Sequence, residues 1–389
     1  MIFSQSEFDF RLKKIKSSMN NKGLDLIIIT DPSNMNYTTG YDGWSFYVPQ
    51  GVIISLDHDE PIWFGRMQDS KGAIVTTFLK KENILGYPED LIQYPPRHPY
   101  DFVTNFLKIK KWDTKNIGVE MDSYYYSAEC HKRLITQCPN AKFYDANLLV
   151  NWIRLIKSED EVKYMKDASI LVQLGMQKAY DSIKPGVRQN QVSGQIQNAL
   201  ISGNNEIGGE YSGLTTILAS GISASASHLT PTDRKFVNNE GTIIELGGVK
   251  NRYHCPMSRT VFIGTPDTKT DETMKITNEA FENALKFVKP GNTANDVAVG
   301  FWSILSKHGL EKDSRLGYSI GIGYPPDWGE HTMSIRKNDM TVLKPNITFH
   351  MIAGMWMDTW GLEISESIRV TEKGYELFCN FPRELHIIS

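Results

Sequence analysis

The chain has 389 residues, of which 40% are hydrophobic and 22% are charged, and its formal net charge at pH 7 is -3. This length is enough for two domains with buried cores, and the composition is typical of a globular protein. A net charge so close to zero gives no general reason to expect nucleic acid or an acidic membrane as a partner. Because neither a signal-peptide-like apolar core nor an apolar run of bilayer length occurs, we expect a cytoplasmic protein that does not associate with membranes.

The first third of the chain predicts a compact α/β domain. Its first segment, SEFDFRLKKIKSSM, places four apolar residues on one helical face: Phe8, Leu12, Ile15 and Met19. The apolar run LDLIIIT predicts a buried strand, and GVIISL and PIWFG flank a polar turn as in a β-hairpin. Two further predicted strands, NIGVEM and AKFYDA, flank a helix. We expect this domain to span residues 1–152.

Two similar helix pairs organise the remaining part of the chain, residues 153–389. The helices of each pair meet at a Lys-Pro-Gly turn, at 184–186 and at 289–291, and both turns continue the pattern Lys-Pro-Gly-x-x-x-Asn-x-Val. Proline and glycine are common at helix ends, so one shared turn alone could arise by chance. Short apolar strands follow both pairs, however, and this match favours a duplicated α+β domain with approximate two-fold symmetry.

Five motifs in a fixed order carry a resemblance to a known superfamily. They are RLIKSEDEVKYMKDAS, the two Lys-Pro-Gly helix pairs, SASHL, IELGG followed by SRTV, and GLEISESIRVTEKG. The chain resembles the creatinase/prolidase/methionine aminopeptidase superfamily over essentially its whole length. This resemblance implies a C-terminal catalytic domain of the duplicated pita-bread fold, preceded by the α/β domain that creatinases and prolidases carry.

The metal-dependent members of that superfamily bind their ions with two aspartates, one histidine and two glutamates. At the matching positions this chain has Glu245, Pro256, Tyr318, Ile352 and Ser365. One carboxylate cannot complete the coordination shell that a divalent cation takes in such a site. The resemblance therefore implies a site without a metal ion or other cofactor.

Creatinase, a member of the same superfamily, hydrolyses a C–N bond without a metal and uses a histidine at the position of His228. Here that histidine follows the small-residue segment ASGISASAS. An isolated histidine is usually structural or exposed, but its pKa range suits proton transfer near neutral pH. Together with Glu245, His228 forms the predicted catalytic pair.

Within the superfamily, five stretches resemble the ectoine hydrolase group: TGYDGWSFYVPQ, PIWFGRMQDSKGA, RYHCPMSRTVF, GYPPDWGEHTMSIR and GMWMDTWGLEISES. Members of that group open the cyclic amidine of ectoine to acetylated L-2,4-diaminobutyrate. The resemblance thus implies a metal-independent hydrolase of a small zwitterionic substrate. A protonated amidine is already electrophilic at its central carbon and pairs naturally with carboxylates. Glu245 would either anchor the amidinium or attack its carbon as a nucleophile.

Aromatic and acidic residues near these motifs are predicted to bind the substrate, because aromatic faces and carboxylates both attract a delocalised cation. The predicted substrate-binding residues are Trp44, Tyr47, Trp328, Glu330, Trp360 and Glu363. Trp328 lies in the polar segment YPPDWGEH, which is typical of a functional loop. Most aromatic residues pack in a core, and we assign Trp356 there. The substrate carboxylate needs a donor, for which Arg66, Arg252 and Arg336 are candidates.

Dimers of the creatinase type bring the N-terminal domain to the partner's active site. The resemblance therefore implies a homodimer in which Trp44 and Tyr47 line the partner's site. Two alternatives remain open: a creatinase-like hydrolase of another small amidine or guanidine compound, and a catalytically inactive pita-bread domain that binds a peptide or protein. The presence of Glu245 and His228 disfavours the binding module.

Overall fold

The computed structural model describes residues 2–389. The chain divides into two compact units, an N-terminal unit that ends at Arg154 and a C-terminal unit, Leu155–Ser389. Within the described part of the chain, no helix combines the length and the apolar composition that a bilayer-spanning segment needs.

A six-stranded mixed sheet and six helices form the N-terminal unit. The strands are β1 (Leu26–Ile29), β2 (Gly51–Ser55), β3 (Ile62–Arg66), β4 (Ile84–Tyr87), β5 (Asn116–Val119) and β6 (Lys142–Asp145). The helices are α1 (Gln5–Asn21), α2 (Pro32–Thr39), α3 (Ser70–Thr76), α4 (Pro99–Ile109), α5 (Ala128–Gln137) and α6 (Leu149–Arg154). The strand order is β4-β3-β2-β1-β5-β6, and β2 pairs antiparallel with β3, which confirms the predicted hairpin. Strand β1 is buried along its whole length, as its apolar run predicts.

A nine-stranded sheet and four helices form the C-terminal unit. The helices are α7 (Glu159–Ser182), α8 (Gln189–Ser202), α9 (Thr268–Leu285) and α10 (Ala294–Lys307). The strands are β7 (Ile217–Ser220), β8 (Glu240–Lys250), β9 (Tyr253–Ile263), β10 (Gly317–Tyr324), β11 (Asp327–Ile335), β12 (Thr348–Trp356), β13 (Gly361–Val370), β14 (Tyr375–Leu377) and β15 (His386–Ile388). The sheet order is β14-β13-β12-β10-β9-β8-β7, with β11 on β10 and β15 on β9.

The two helix pairs have the same local structure at their turns. Gly186 and Gly291, the last residues of the two Lys-Pro-Gly turns, have φ values of +87° and +89°. Glycine adopts this left-handed backbone without the steric cost that a side chain would add. Each pair then leads into antiparallel strands, α7 and α8 into β7 to β9, and α9 and α10 into β10 to β13. These matching elements agree with the duplication that the sequence predicts.

The two faces of β12 and β13 have different surroundings. Alternate residues of β12, namely Phe349, Met351, Ala353 and Met355, pack in a hydrophobic cluster with residues of α9 and α10. Because side chains alternate along a strand, His350, Ile352 and Gly354 belong to the opposite face. That opposite face, which we call the polar face, carries the candidate active site.

Candidate active site

Glu245 lies on β8, opposite Ser258 of β9. Only 4% of the residue is exposed, and its carboxyl group makes no hydrogen bond or ion pair with another residue among 2–389. Burial raises the pKa of Glu245 well above its ordinary value, and the carboxyl groups of Glu363 and Asp327 raise it further. A buried carboxyl group without a protein partner is available to a ligand.

Glu363 provides the second carboxyl group of the site. The Thr260 hydroxyl fixes its backbone, accepting from the N–H of Glu363 at 2.7 Å and donating to its carbonyl oxygen at 2.9 Å. The side chain is buried, and its Oε1 lacks a hydrogen-bond partner among the described residues. Burial raises the pKa of Glu363 to about 7, although the Ser258 hydroxyl and the Lys312 ammonium oppose the rise. Glu245 and Glu363, here called the carboxyl pair, therefore retain a proton near neutral pH.

Lys312 is a site residue that the sequence does not reveal. It follows α10 and is 8% exposed, and its Nζ donates to Ser314 Oγ at 2.6 Å and to the carbonyl oxygen of Gly354 at 3.1 Å. Gly354 is the register partner of Glu363, so the ammonium group lies beside the carboxyl pair. Burial lowers the pKa of Lys312 to about 8, an effect that Glu363 opposes. No sequence pattern marks this lysine, because only the fold brings it to Glu363.

A chain of uncharged hydrogen bonds runs along the polar face. Trp328 Nε1 donates to the Tyr318 hydroxyl at 2.9 Å, and that hydroxyl lies 3.2 Å from His350 Nδ1. His350 Nε2 lies 2.6 Å from Ser365 Oγ, which also accepts from the N–H of Ser258 at 2.7 Å. Burial lowers the pKa of His350 to about 3 and raises that of Tyr318, so both groups are neutral at pH 7. The chain thus gives the site rigidity without adding charge.

The side chains at the metal-ligand positions of the superfamily do not fit a divalent ion. Tyr318 and Ser365 offer neutral hydroxyl groups that already belong to the hydrogen-bonded chain, and Pro256 and Ile352 offer no ligand atom. In the described chain, no three or more His, Cys, Asp or Glu side chains lie close enough together to hold a metal ion. Divalent ions in proteins require several such donors, and this donor set does not supply them.

The structure does not pair His228 with Glu245. His228 is exposed and follows a short 3-10 helix, Gly221–Ser225, which contacts β8 and β13. Its φ of +67° is a left-handed conformation that costs a residue with a side chain roughly 1–2 kcal/mol. The imidazole makes no hydrogen bond to another described residue. The catalytic role of His228 therefore stays a prediction, for a residue beside the site and open to solvent.

The segment YPPDWGEH forms a tight β-hairpin, so the loop prediction was wrong. Tyr324 pairs with Asp327, and the two prolines between them make the turn. The Asp327 carboxylate accepts from the N–H groups of Trp328 and Gly329 at 2.7 and 2.9 Å, which stabilises the start of β11. Trp328 is 1% exposed and packs on Gly247, where an added Cβ would come within 2.8 Å of the indole ring. Trp328 thus adjoins the site from a strand, through its bond to Tyr318.

Glu330 belongs to a buried ion pair and does not join the carboxyl pair. Its Oε2 accepts from Lys157 Nζ at 2.7 Å, and both side chains are 1% exposed. The predicted contact between Glu330 and the substrate conflicts with this arrangement, because the ammonium group of Lys157 already neutralises the carboxylate. The distance in sequence between the partners, 173 residues, hides the pair from sequence analysis.

Trp356 and Trp360 differ from their predicted roles. Trp360, predicted to bind substrate, is half-buried in the turn between β12 and β13 and packs against the hydrophobic cluster. Trp356, predicted to lie in the core, is on the polar face, where its ring covers Gly354 and lies 4.8 Å from Lys312 Nζ. Strand alternation explains the difference, since Trp356 is two residues beyond Gly354 on the same face. Trp356 is therefore the tryptophan nearer to Glu363.

Trp44 and Tyr47 are strongly exposed aromatic residues of the N-terminal unit. Their exposed fractions are 56% and 65%. The Trp44 ring packs on Phe46 at a centroid distance of 4.8 Å, and the Tyr47 hydroxyl lies 3.5 Å from Arg66. Arg66 also pairs with Glu89. Large aromatic side chains left in solvent are typical of a surface that another molecule covers, so their contact with substrate stays a prediction.

Comparisons with known proteins agree with this architecture. Residues 163–372 match the model of metallopeptidase family M24, and residues 11–156 match that of the creatinase/prolidase N-terminal domain. The chain is 42% identical to ectoine hydrolase from Halomonas elongata, over 99% of this chain and 98% of that one. Its fold resembles X-Pro aminopeptidase from Thermotoga maritima, with a TM-score of 0.81 and 20% identity over 97% of this chain and 99% of that one. Recombinant prolidase from Thermococcus sibiricus gives a TM-score of 0.82 at 20% identity, over 97% and 98% of the two chains.

These findings define a hydrolase acting on C–N bonds, with a pita-bread catalytic domain behind an α/β N-terminal domain. The predicted fold class is confirmed. The chain belongs to metallopeptidase family M24 and carries the creatinase/prolidase N-terminal domain.

Proposed function

We propose that the protein hydrolyses the cyclic amidine ring of ectoine to acetylated L-2,4-diaminobutyrate, and that it does so without a metal ion. The carboxyl pair is the observation that carries this proposal. Two buried carboxyl groups influence each other here, and Glu245 makes no hydrogen bond or ion pair with a described residue. The 42% identity to an ectoine hydrolase supports the choice of substrate.

The charge of the carboxyl pair suits an amidinium ion. With one proton retained, the pair carries a single negative charge, because burial and mutual repulsion keep the second group from ionising. A protonated amidine carries a single positive charge, spread over two nitrogens that both donate hydrogen bonds. Carboxylate oxygens accept such charge-assisted bonds at close range. Site and substrate are thus complementary in charge and in hydrogen bonding.

A cationic substrate also removes the need for a Lewis acid. In metal-dependent hydrolases the ion polarises a neutral carbonyl group and activates water. The central carbon of an amidinium is already electron-poor, so a carboxylate or a water molecule can attack it directly. This chemistry accounts for a site of this fold in which tyrosine, serine, proline and isoleucine stand where ligands would be.

In the proposed reaction, the bound amidinium stabilises the ionised form of Glu245, so the single proton of the carboxyl pair lies on Glu363. A carboxylate oxygen of Glu245 then bonds to the amidine carbon, and the π electrons of the C=N bond move to nitrogen. The proton held by Glu363 passes to the departing ring nitrogen, and the C–N bond breaks. Water then adds to the carbon, and the bond to Glu245 breaks to give the amide. The two protons of that water go to Glu363 and to the released amine, which restores the site. His228, open to solvent, would exchange protons with this pair.

The same proposal includes a homodimer in which Trp44 and Tyr47 complete the partner's site. Mixing two inactive variants, Glu245→Gln and Trp44→Ala/Tyr47→Ala, tests this arrangement. A mixed dimer then contains one site with neither defect, so about a quarter of the parent activity returns on random reassociation. If each site uses aromatic residues of its own chain, mixing restores nothing. Light scattering on the parent protein checks that dimers form.

The test of the function is ectoine turnover, followed by proton NMR, with protein treated with chelator. We expect ring opening to persist after chelation and to fall at least about 1000-fold in Glu245→Gln. Glu372→Gln, at an exposed glutamate in the turn between β13 and β14, serves as the matched control and keeps full activity. Mass spectrometry of acid-quenched enzyme detects the adduct on Glu245, and its absence would leave Glu245 as an anchor.

Three other outcomes point elsewhere. Activity that requires an added divalent ion would overturn the metal-free proposal. Turnover of creatine in place of ectoine would identify a creatinase-like hydrolase, since a guanidinium ion also fits the carboxyl pair. Binding of a peptide without turnover of any amidine would indicate a binding module.

A further inference from the structure

A cavity with a basic lining, opposite in charge to the carboxyl pair, lies in the C-terminal unit. It has a volume of about 510 Å³ and is lined by Trp302, Lys312, Asp313, Arg315, Arg336 and Lys337, together with one serine. Four of these residues are basic and one is acidic. We call this cavity the basic pocket.

The cations of the basic pocket lack the partners that other cations of this protein have. Within residues 2–389, none of its four basic side chains forms a salt bridge, and Arg315 donates only to the neutral Ser334 hydroxyl at 3.1 Å. By contrast, Arg252 forms an ion pair with Glu210 at 3.4 Å, and Arg66 pairs with Glu89. The sequence suggests three arginines as donors to the substrate carboxylate. Of these three, Arg336 alone has no acidic partner in the described chain.

Two residues connect the basic pocket to the carboxyl pair. The guanidinium of Arg315 lies 4.5 Å from the centre of the Tyr318 ring, and Tyr318 is in turn within the electrostatic reach of Glu245. Lys312 lines the pocket and also lies beside Glu363, through its bond to Gly354. The lining of the basic pocket thus reaches Glu363 through Lys312 and the Tyr318 ring through Arg315.

We propose that the basic pocket binds the carboxylate group of the substrate while the carboxyl pair binds its amidinium group. This inference rests on the proposed function, and it names the part of the site that selects a zwitterion over a simple amidine. A small zwitterion carries a positive and a negative charge, and Lys312 links the lining of the basic pocket to Glu363 of the acidic site. Arg336 and Arg315 supply the donors, since a guanidinium holds a carboxylate in a two-pronged geometry.

Kinetics with two substrates test this assignment. One substrate is ectoine and the other is 2-methyl-1,4,5,6-tetrahydropyrimidine, the same cyclic amidine without the carboxylate. In Arg336→Gln we expect the KM for ectoine to rise about tenfold, the loss of one charge-assisted hydrogen bond, with kcat nearly unchanged. The KM for the carboxylate-free amidine stays the same. Arg336→Lys recovers part of the affinity, and Lys289→Gln, at an exposed lysine elsewhere, changes neither value.

Each contrary outcome has a distinct meaning. An equal rise in KM for both substrates, or no rise for either, would overturn the assignment while leaving ectoine hydrolysis intact. If the parent turns over neither substrate, the proposed function fails. A calorimetric titration with acetate then tests separately whether the basic pocket binds a carboxylate. If Arg336→Gln abolishes acetate binding, the basic pocket is still a carboxylate-binding site, but for a ligand other than ectoine. If the parent does not bind acetate, or if the variant binds it equally well, the assignment of the basic pocket is overturned.

Discussion

Two kinds of buried acidic residue occur in the C-terminal unit, and they differ in their neighbours. Glu330 and Glu366 are each paired with a buried cation, Lys157 at 2.7 Å and Arg259 at 2.6 Å. The carboxyl pair has the opposite arrangement, because the charged groups that act on the pKa of Glu245 are two other acids, Glu363 and Asp327. Burial is almost equal in the four residues, so accessibility does not separate them.

The difference shows how structural and functional acids can be distinguished. An acid that is buried with its cation is satisfied within the fold, and it costs stability only when the partner is removed. An acid that is buried beside another acid costs stability in the native protein itself. Such a loss of stability is typical of a functional site, where a bound ligand of opposite charge offsets it. On this basis we assign Glu330 to the scaffold and propose the carboxyl pair for the chemistry.

The largest effect that would test this contrast is expected from Lys157→Met. This change removes the ammonium partner of the buried Glu330 carboxylate, and we expect the free energy of unfolding to fall by roughly 3–5 kcal/mol. Urea unfolding of the variant and of the parent measures the difference. The double variant Lys157→Met/Glu330→Leu should regain most of that loss, because it removes both charges of the pair. A fall below about 1 kcal/mol in the single variant would remove the basis for calling Glu330 structural.

A second test concerns the group proposed to exchange protons with the carboxyl pair. In His228→Ala we expect kcat to fall about 100-fold, the low end of the range for general acid-base catalysis. Since the side chain is exposed and makes no hydrogen bond in the described chain, stability should not fall. His308→Ala, at another exposed histidine, is the matched control. Imidazole added to the buffer should restore part of the lost rate. Unchanged kcat would assign proton transfer to the carboxyl pair alone.

The fold was largely predictable because periodic patterns and helix-end signals are local. The strand β1, the β2–β3 hairpin and the two Lys-Pro-Gly turns follow from residues close together in sequence. The helix α7 begins at Glu159, directly after Ser158, and Ser158 and Glu161 form a capping box, which is a local signal of a helix start. The hairpin at Pro325 was missed, because adjacent prolines indicate a loop even when they occupy only the turn between two strands.

The site was predictable where a motif marks a strand, and it was not where partners meet across the fold. Glu245 and Glu363 were both found in motif segments. Glu330 was assigned to the substrate because its partner, Lys157, lies in a different element far away in sequence. Lys312 was missed for the same reason. Charge on a residue type says little about its role until its neighbours are known.

The smallest expected effect is the pH dependence of stability that Glu363 of the carboxyl pair should cause. Burial raises the pKa of Glu363 from its ordinary value of 4.5 to about 7. Between these values the folded protein binds more protons than the unfolded chain, so the free energy of unfolding falls as the pH rises and levels off above about pH 7. A glutamine side chain cannot ionise. Across this pH range the free energy of unfolding of Glu363→Gln should therefore fall less than that of the parent, by on the order of 2 kcal/mol.

Urea unfolding at several pH values between about 4.5 and about 8 measures this difference. Glu372→Gln, which removes an exposed carboxyl group, should follow the parent curve. Parallel curves for the parent and Glu363→Gln would mean that Glu363 ionises in the folded protein as readily as in the unfolded chain. The carboxyl pair would then hold no proton for the departing nitrogen, and the contrast between the two kinds of buried acid would have to rest on Glu245 alone.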